Sequence, residues 1–353
     1  MPPVLFQRYP LLAERLPHLP LLAGPTPVQR LARLEPLVGA ASLWVKRDDR
    51  TAQPYGGNKP RKLEFLLGAA RAQGARTLIT FGGLGSNHAL ATACYGRRHG
   101  FAVTTILVPQ PVDDHVRRNL AALRQEGARV VCVTSSAGAA LAAGSAWLLA
   151  LGRDRRRPYL IPPGGSSPVG SLGYVSAALE LADQIGQNGL PVPAAIFVAG
   201  GSNGTAAGLL VGLRLAGLSS RLIVVRVSDR LPVHARAIAR LATATAALLS
   251  RGEPRLATAL TFGPADLEVW EDYLGAGYGH PTPAGDQAVQ LLAQAEGLVL
   301  DRTYTGKTMA ALLDAVRRPA WRGQPLLYWH TSGGGTTPTA PPVGSPDQES
   351  ARS

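Results

Sequence analysis

Amines are scarce in this chain. Of 36 basic residues among 353, only four are lysines: Lys46, Lys59, Lys62 and Lys307. Arginine supplies surface charge but stays protonated, whereas a lysine amine can be desolvated, deprotonated and used as a nucleophile. Cysteine is scarcer still. Cys94 and Cys132 fall in apolar segments without CxxC or Cys/His spacing, so neither a disulfide framework nor a metal site is indicated, and a reducing cytoplasm is expected. His280 and His330 have neither an HxxxH partner nor a carboxylate at ligand spacing, and no GxSxG nucleophile elbow occurs. Long apolar runs are missing too. Residues 1–20 are interrupted by Arg8, Glu14, Arg15 and several prolines, which argues against a signal peptide. Residues 137–151 are too few, and too rich in Ala, Gly and Ser, to cross a bilayer, so no membrane partner is expected. The formal charge of +13 is scattered, and its densest run, Arg153-Asp154-Arg155-Arg156-Arg157, carries an acid. That run reads as a solvated loop, not a nucleic-acid surface.

What is present is an alternation of short apolar runs and longer helical ones. The length allows one large α/β domain or two smaller ones. Residues 1–21 are proline-rich without periodicity, 28–37 read as helical, and 42–47 as a strand leading to a glycine-rich turn. From there 63–73 is a helix, 77–81 a strand, 87–99 a helix, 101–108 a strand, 112–126 a helix, 129–133 a strand and 135–151 a helix. Strands of four to eight residues alternating with helices of ten or more imply a parallel sheet covered on both faces. A second unit follows a long helix over 170–185: strand 194–199, helix 206–215, strand 221–227, alanine-rich helix over 232–249, helices over 283–295 and 307–317, and a last strand at 326–329. The expected division is 1–60 plus 172–335 as a larger domain and 61–171 as a smaller one, with a disordered tail over 336–353.

Gly200-Gly201-Ser202-Asn203-Gly204-Thr205 lies between a strand and a helix, where glycines let the backbone approach and the helix N-terminus adds positive potential. A phosphate is the natural guest. The glycines do not match GxGxxG, although Asp229 follows the next strand, and the turn does not end in GK[ST], so neither nucleotide loop fits. One phosphate and a reactive aldehyde suit a glycine turn plus a separate lysine better.

Tyr55-Gly56-Gly57-Asn58-Lys59-Pro60-Arg61-Lys62-Leu63-Glu64, followed by Phe81-Gly82-Gly83-Leu84-Gly85-Ser86-Asn87-His88, resembles the pyridoxal-phosphate enzymes of the D-cysteine desulfhydrase and 1-aminocyclopropane-1-carboxylate deaminase family. The likeness runs from about Leu22 to Gly335. It implies two open twisted parallel-sheet α/β domains of the fold type II, tryptophan synthase β-like class, with pyridoxal 5'-phosphate between them, and usually a homodimer. It also implies that Lys59 carries the cofactor as an imine, that Ser86 sits over the substrate and that Asn87 hydrogen-bonds the phenolic oxygen. Residues 200–205 would hold the phosphate, although Asn203 stands where many members have glycine. Tyr278, in Gly277-Tyr278-Gly279, and Tyr304, in Thr303-Tyr304-Thr305-Gly306-Lys307, match two active-site tyrosines. His88 could tune the substrate site, and Lys62, Lys307 and Asp49 could be ion-pair partners. At two positions where the cyclopropane-opening branch has glutamate and leucine, this chain has Thr305 and Thr331. A neutral hydroxyl at the pyridine nitrogen stabilises a carbanion less than a carboxylate does, which suits elimination of a good leaving group. The resemblance therefore implies a lyase converting a small D-amino acid such as D-cysteine to pyruvate, ammonia and sulfide. Deamination of the cyclopropane amino acid, another amino-acid lyase or racemase, and a catalytically silent cofactor-binding protein are its alternatives.

Overall fold

The structure is a computed structural model that describes residues 1–40, 42–256 and 260–333; the tail expected to be disordered lies outside them. The strands are β1 (Val28–Arg30), β2 (Leu43–Lys46), β3 (Thr77–Gly83), β4 (Ala102–Val108), β5 (Arg129–Cys132), β6 (Tyr159–Ile161), β7 (Ala195–Gly200), β8 (Arg221–Arg226), β9 (Glu268–Trp270) and β10 (Leu326–Trp329). The first helices are α1 (Val4–Arg8), α2 (Pro10–Arg15), α3 (Leu34–Val38), α4 (Asn58–Ala72), α5 (Asn87–Arg98) and α6 (Asp114–Gln125). The others are α7 (Ser136–Asp154), α8 (Pro168–Asn188), α9 (Gly204–Leu215), α10 (Ala235–Gly252), α11 (Pro283–Glu296) and α12 (Thr305–Arg317).

Two sheets result, ordered β1-β2-β10-β7-β8-β9 and β5-β4-β3-β6. All pairings are parallel except β1 with β2. The central strands carry the sequence of strands covered on both faces: β7 is buried along its whole length, Ile196 and Val198 joining one apolar cluster and Phe197 and Ala199 another. Helices start where a side chain accepts from the first turn, as Ser86, Asp113, Ser135, Ser167 and Thr282 do.

Three readings are corrected. Residues 28–30 are a strand, because Val28 and Arg30 pair antiparallel with Lys46 and Trp44, and a helix begins only at Leu34. The first 21 residues hold two short helices, whose Leu5 and Leu12 are fully buried under the larger sheet's helices. Glu268–Trp270 adds an edge strand beside β8 in a stretch too irregular to read.

In each sheet the strand order reverses once, between β3 and β6 and between β7 and β10. The chain leaving those four strands lines one cavity of about 430 Å³. A crevice at the carboxyl ends of parallel strands, at the point of reversal, is where open α/β sheets bind ligands.

Candidate active site

The lysine turn is held from beneath. Gly57, just before α4, has φ +83, and a Cβ there would lie 2.7 Å from Gly333 N and 2.8 Å from Thr331 O, so only glycine fits. Its N–H donates to Asp48 O at 2.8 Å, and Asn58 N–H donates to Thr331 O at 3.0 Å. Two residues beyond Lys59, Arg61 enters a buried cluster with Asp48, Glu180 and Lys46. Burial alone would raise the Asp48 and Glu180 carboxyls, but the Arg61 guanidinium holds both below their ordinary range. Tyr174 OH and Trp329 Nε1, each at 2.7 Å, complete the Asp48 shell. Strand β2, helices α4 and α8 and strand β10 are thereby tied together behind Lys59.

Lys59 lines the cavity and donates to Asn58 Oδ1 at 2.6 Å, while Asn58 Nδ2 donates to Thr205 Oγ1 at 3.1 Å. Burial lowers its amine to about 8, against the opposing pull of Asp301. Lys62, one turn along α4, is fully buried and lies far below its ordinary value because of burial and the charge of Lys59. It donates to Gly164 O at 3.0 Å and has no carboxylate partner among the described residues.

The N-termini of α4, α5 and α9 meet here. At α9 the N–H of Gly204 donates to Ser166 Oγ at 2.9 Å, and no acceptor within the described chain meets the N–H groups of Ser202, Asn203 and Thr205. A Cβ built on Gly204 would stand 3.1 Å from Lys62 Nζ, so that amine flanks the turn. At α5 the Ser86 hydroxyl caps Ala89 N–H at 3.2 Å, and the N–H groups of Asn87 and His88 have no acceptor in the described chain. One cavity therefore offers two sites for anions, with an amine beside them.

The two tyrosines are brought together, Tyr278 OH to Tyr304 OH at 2.5 Å. Burial raises both phenols, the more so for Tyr304. Gly277 and Gly279, both at positive φ, let the backbone turn about Tyr278. Lys307 has no ion-pair partner among the described residues either; it donates to the carbonyls of Leu274 at 2.7 Å and Gly277 at 3.3 Å and steadies that loop. Asp49 does pair, with Arg47 at 2.6 Å.

Of the residues read from sequence, Lys59, Ser86, Asn87, His88, Gly201, Ser202, Thr205, Tyr278, Tyr304 and Thr331 line the cavity. Gly200, Asn203, Gly204 and Thr305 do not. Gly200 accepts from Val227 N–H, and the Asn203 amide turns away to Pro232 O. Thr305 is fully buried and donates its hydroxyl to Asp301 Oδ2 at 2.6 Å, so it is not a hydroxyl facing a ligand. The sequence reading missed Asp301, which lines the cavity and accepts from the N–H of Thr303 and Tyr304 at 3.0 and 2.6 Å. An acid just before a helical run is a capping signal that would have found it. His88 is buried with neither ring nitrogen bonded, and burial plus the nearby lysine charges push it well below its ordinary value.

These features fit pyridoxal phosphate. The free N–H groups of α9 and Lys62 match its phosphate, Lys59 its aldehyde, and the cavity contains unpaired polar groups in His88 and the first turn of α5. Comparison with known proteins agrees. Residues 19–332 match the family described as pyridoxal-phosphate dependent enzyme. D-cysteine desulfhydrases of Salmonella schwarzengrund and Salmonella paratyphi A are each 38% identical over 327 residues, covering 90% of this chain and 94% of each relative. The crystal structure of an ACC (1-aminocyclopropane-1-carboxylate) deaminase homologue superposes with TM-score 0.80 at 32% identity, covering 96% of this chain and 97% of that one. A threonine deaminase from T.th., at 19% identity and TM-score 0.62 over 88% of this chain and 92% of its own, shares the fold. Among the described residues there is no cluster of metal-ligating side chains, and no helix is long and apolar enough to cross a membrane. The chain therefore belongs to the pyridoxal-phosphate-dependent enzymes, and its cofactor is pyridoxal 5'-phosphate.

Proposed function

We propose that this enzyme is a lyase that eliminates the β-substituent of a small D-amino acid, with D-cysteine as substrate. D-cysteine and water give pyruvate, ammonia and hydrogen sulfide. The observation that carries this reading is one amine, Lys59 Nζ, beside two anion-binding helix N-termini in a small cavity. Bound pyridoxal phosphate supplies the electron sink for the carbanion formed at Cα. Lys59 takes the α-proton at Nζ: with its amine lowered to about 8, roughly a tenth is unprotonated at pH 7, against under a thousandth for an ordinary lysine. Ser86 Oγ and the N–H groups of Asn87 and His88 receive the substrate carboxylate. The phenols of Tyr278 and Tyr304 stay protonated, so the pair donates a proton to the leaving sulfur and does not act as a base. Ser202, Asn203, Thr205 and Lys62 hold the phosphate, Asn87 the phenolic oxygen, and Thr331, in the cavity wall, faces the substrate.

The relatives named D-cysteine desulfhydrase support this substrate. A second reading, opening of the cyclopropane amino acid, is favoured by the name of the structural neighbour and by the Asp301 carboxylate in the cavity wall. Steady-state turnover of D-cysteine, L-cysteine and 1-aminocyclopropane-1-carboxylate separates them. Sulfide and pyruvate chiefly from D-cysteine support the lyase. Preference for the L-isomer, or faster release of 2-oxobutanoate from the cyclopropane substrate, would reject it.

Our reading includes two bodies, split near residues 61 and 171 and supported by the second sheet's strands all falling within 77–161. It also includes a cytoplasmic homodimer, for which the free thiols Cys94 and Cys132 and the exposed Leu141 and Leu148 on α7 are the support.

A further inference from the structure

We propose that Asn119, on α6 and outside the cavity lining, is a positioning residue that fixes which end of the Asn87 amide faces the cofactor. Both side chains are buried, at 8% and 9% exposure, and Asn87 alone lines the cavity. Asn119 Nδ2 lies 2.9 Å from Gly85 O, 2.8 Å from Asn87 Oδ1 and 3.2 Å from His115 Nε2. An amide nitrogen carries two hydrogens, so the two shorter contacts use both.

The polarity of this relay is set by the backbone. Gly85 O can only accept, so turning the Asn119 amide over would bring two oxygens together. The end of Asn119 that meets Asn87 is therefore a donor, and Asn87 answers with Oδ1. That leaves Asn87 Nδ2, a donor with no partner among the described residues, as the end available to the cavity. The relay runs from a fixed carbonyl to an acceptor on the bound group, such as the phenolic oxygen of pyridoxal phosphate. The inference rests on the cofactor assignment above and does not depend on which amino acid is the substrate.

Asn119→Asp keeps the shape but only accepts. Asn87 then turns to donate to it and presents Oδ1 to the cofactor oxygen. Asn119→Leu removes the constraint without reversing it. Cofactor-free wild type and variants are titrated with pyridoxal phosphate, following the position of the visible band and its pH dependence, and the cofactor-free proteins are melted. A lost or reversed hydrogen bond to a charged oxygen predicts about 10- to 100-fold weaker cofactor binding and a shifted band for the Asp variant. The Leu variant loses less affinity and melts close to wild type, whereas the Asp variant also melts lower, because its carboxylate faces Gly85 O. Wild-type affinity and band in the Asp variant overturn the proposal. So does a greater loss in the Leu variant, or a loss in both that follows melting alone, because packing would explain it. If the Asp variant does not fold, the Leu variant decides: weaker binding with a shifted band at unchanged melting upholds the role, and wild-type binding overturns it. Failure of the wild type to bind the cofactor would overturn the assignment together with this inference, and it is read before any variant.

Discussion

Arg61→Met removes the guanidinium at the centre of the buried cluster behind Lys59. Its Nε and Nη2 donate to Asp48 at 3.0 and 2.8 Å, its Nη1 and Nη2 to Glu180 at 2.9 and 3.0 Å, and Nη2 also to Thr26 Oγ1 at 3.0 Å. Without it, two buried carboxylates face the single ammonium of Lys46. Removing one partner of a buried ion pair costs about 3–5 kcal/mol, and because two carboxylates are stranded we expect the upper end. Urea unfolding of the cofactor-free protein at pH 7 measures this. The sign of the pH dependence follows from the carboxyls. In wild type both are held below their ordinary values, so their contribution is present above the unfolded carboxyl pKa and lost as pH falls through the depressed values. In the variant they rise, so the gap between the proteins narrows from pH 7 towards pH 5. A loss under about 1 kcal/mol, or one that does not shrink with acid, would refute this account of the cluster.

Gly57→Ala strains a positive φ and drives a Cβ into Gly333 and Thr331, so cofactor binding should fall by well over tenfold in a visible titration. Tyr304→Phe removes a donor that touches Tyr278 at 2.5 Å; kcat should fall by about 10²- to 10⁴-fold with little change in melting temperature, as steady-state assays and a thermal melt would register. Thr305→Glu sets a second carboxylate against Asp301 in a fully buried position. We expect it to destabilise by about 2 kcal/mol or more in urea unfolding and not to install cyclopropane-opening activity.

The parts of the fold legible in the sequence are those fixed by local chemistry. The central strands are continuous apolar runs and the long helices have capping residues at their starts, so β3, β4, β7, β8 and β10, and the helices that follow the first four of them, stand close to where periodicity puts them. The edge elements were hidden for a physical reason. β1 and β9 are three residues long and gain their backbone partners only from β2 and β8, and α1 is defined by burying Leu5 against distant helices. At the site the same division holds. Lys59, Ser86 and Tyr304 sit at helix starts whose flanking glycines and caps are written in the local sequence. Asn119 and Asp48 reach the site through contacts 32 and 13 residues away, which spacing does not reveal. Thr305 was misplaced because adjacency to Tyr304 says nothing about direction: Asp301 claims its hydroxyl as part of the cap.

The most direct test of the central claim is the absorbance spectrum of purified protein before and after D-cysteine, with Lys59→Ala beside it and sulfide and pyruvate measured together. The account predicts a visible band from lysine-bound cofactor that shifts with substrate, equal amounts of sulfide and pyruvate, and neither band nor product in the variant. Undiminished turnover by Lys59→Ala, or a wild-type protein without a band in the presence of pyridoxal phosphate, would contradict it.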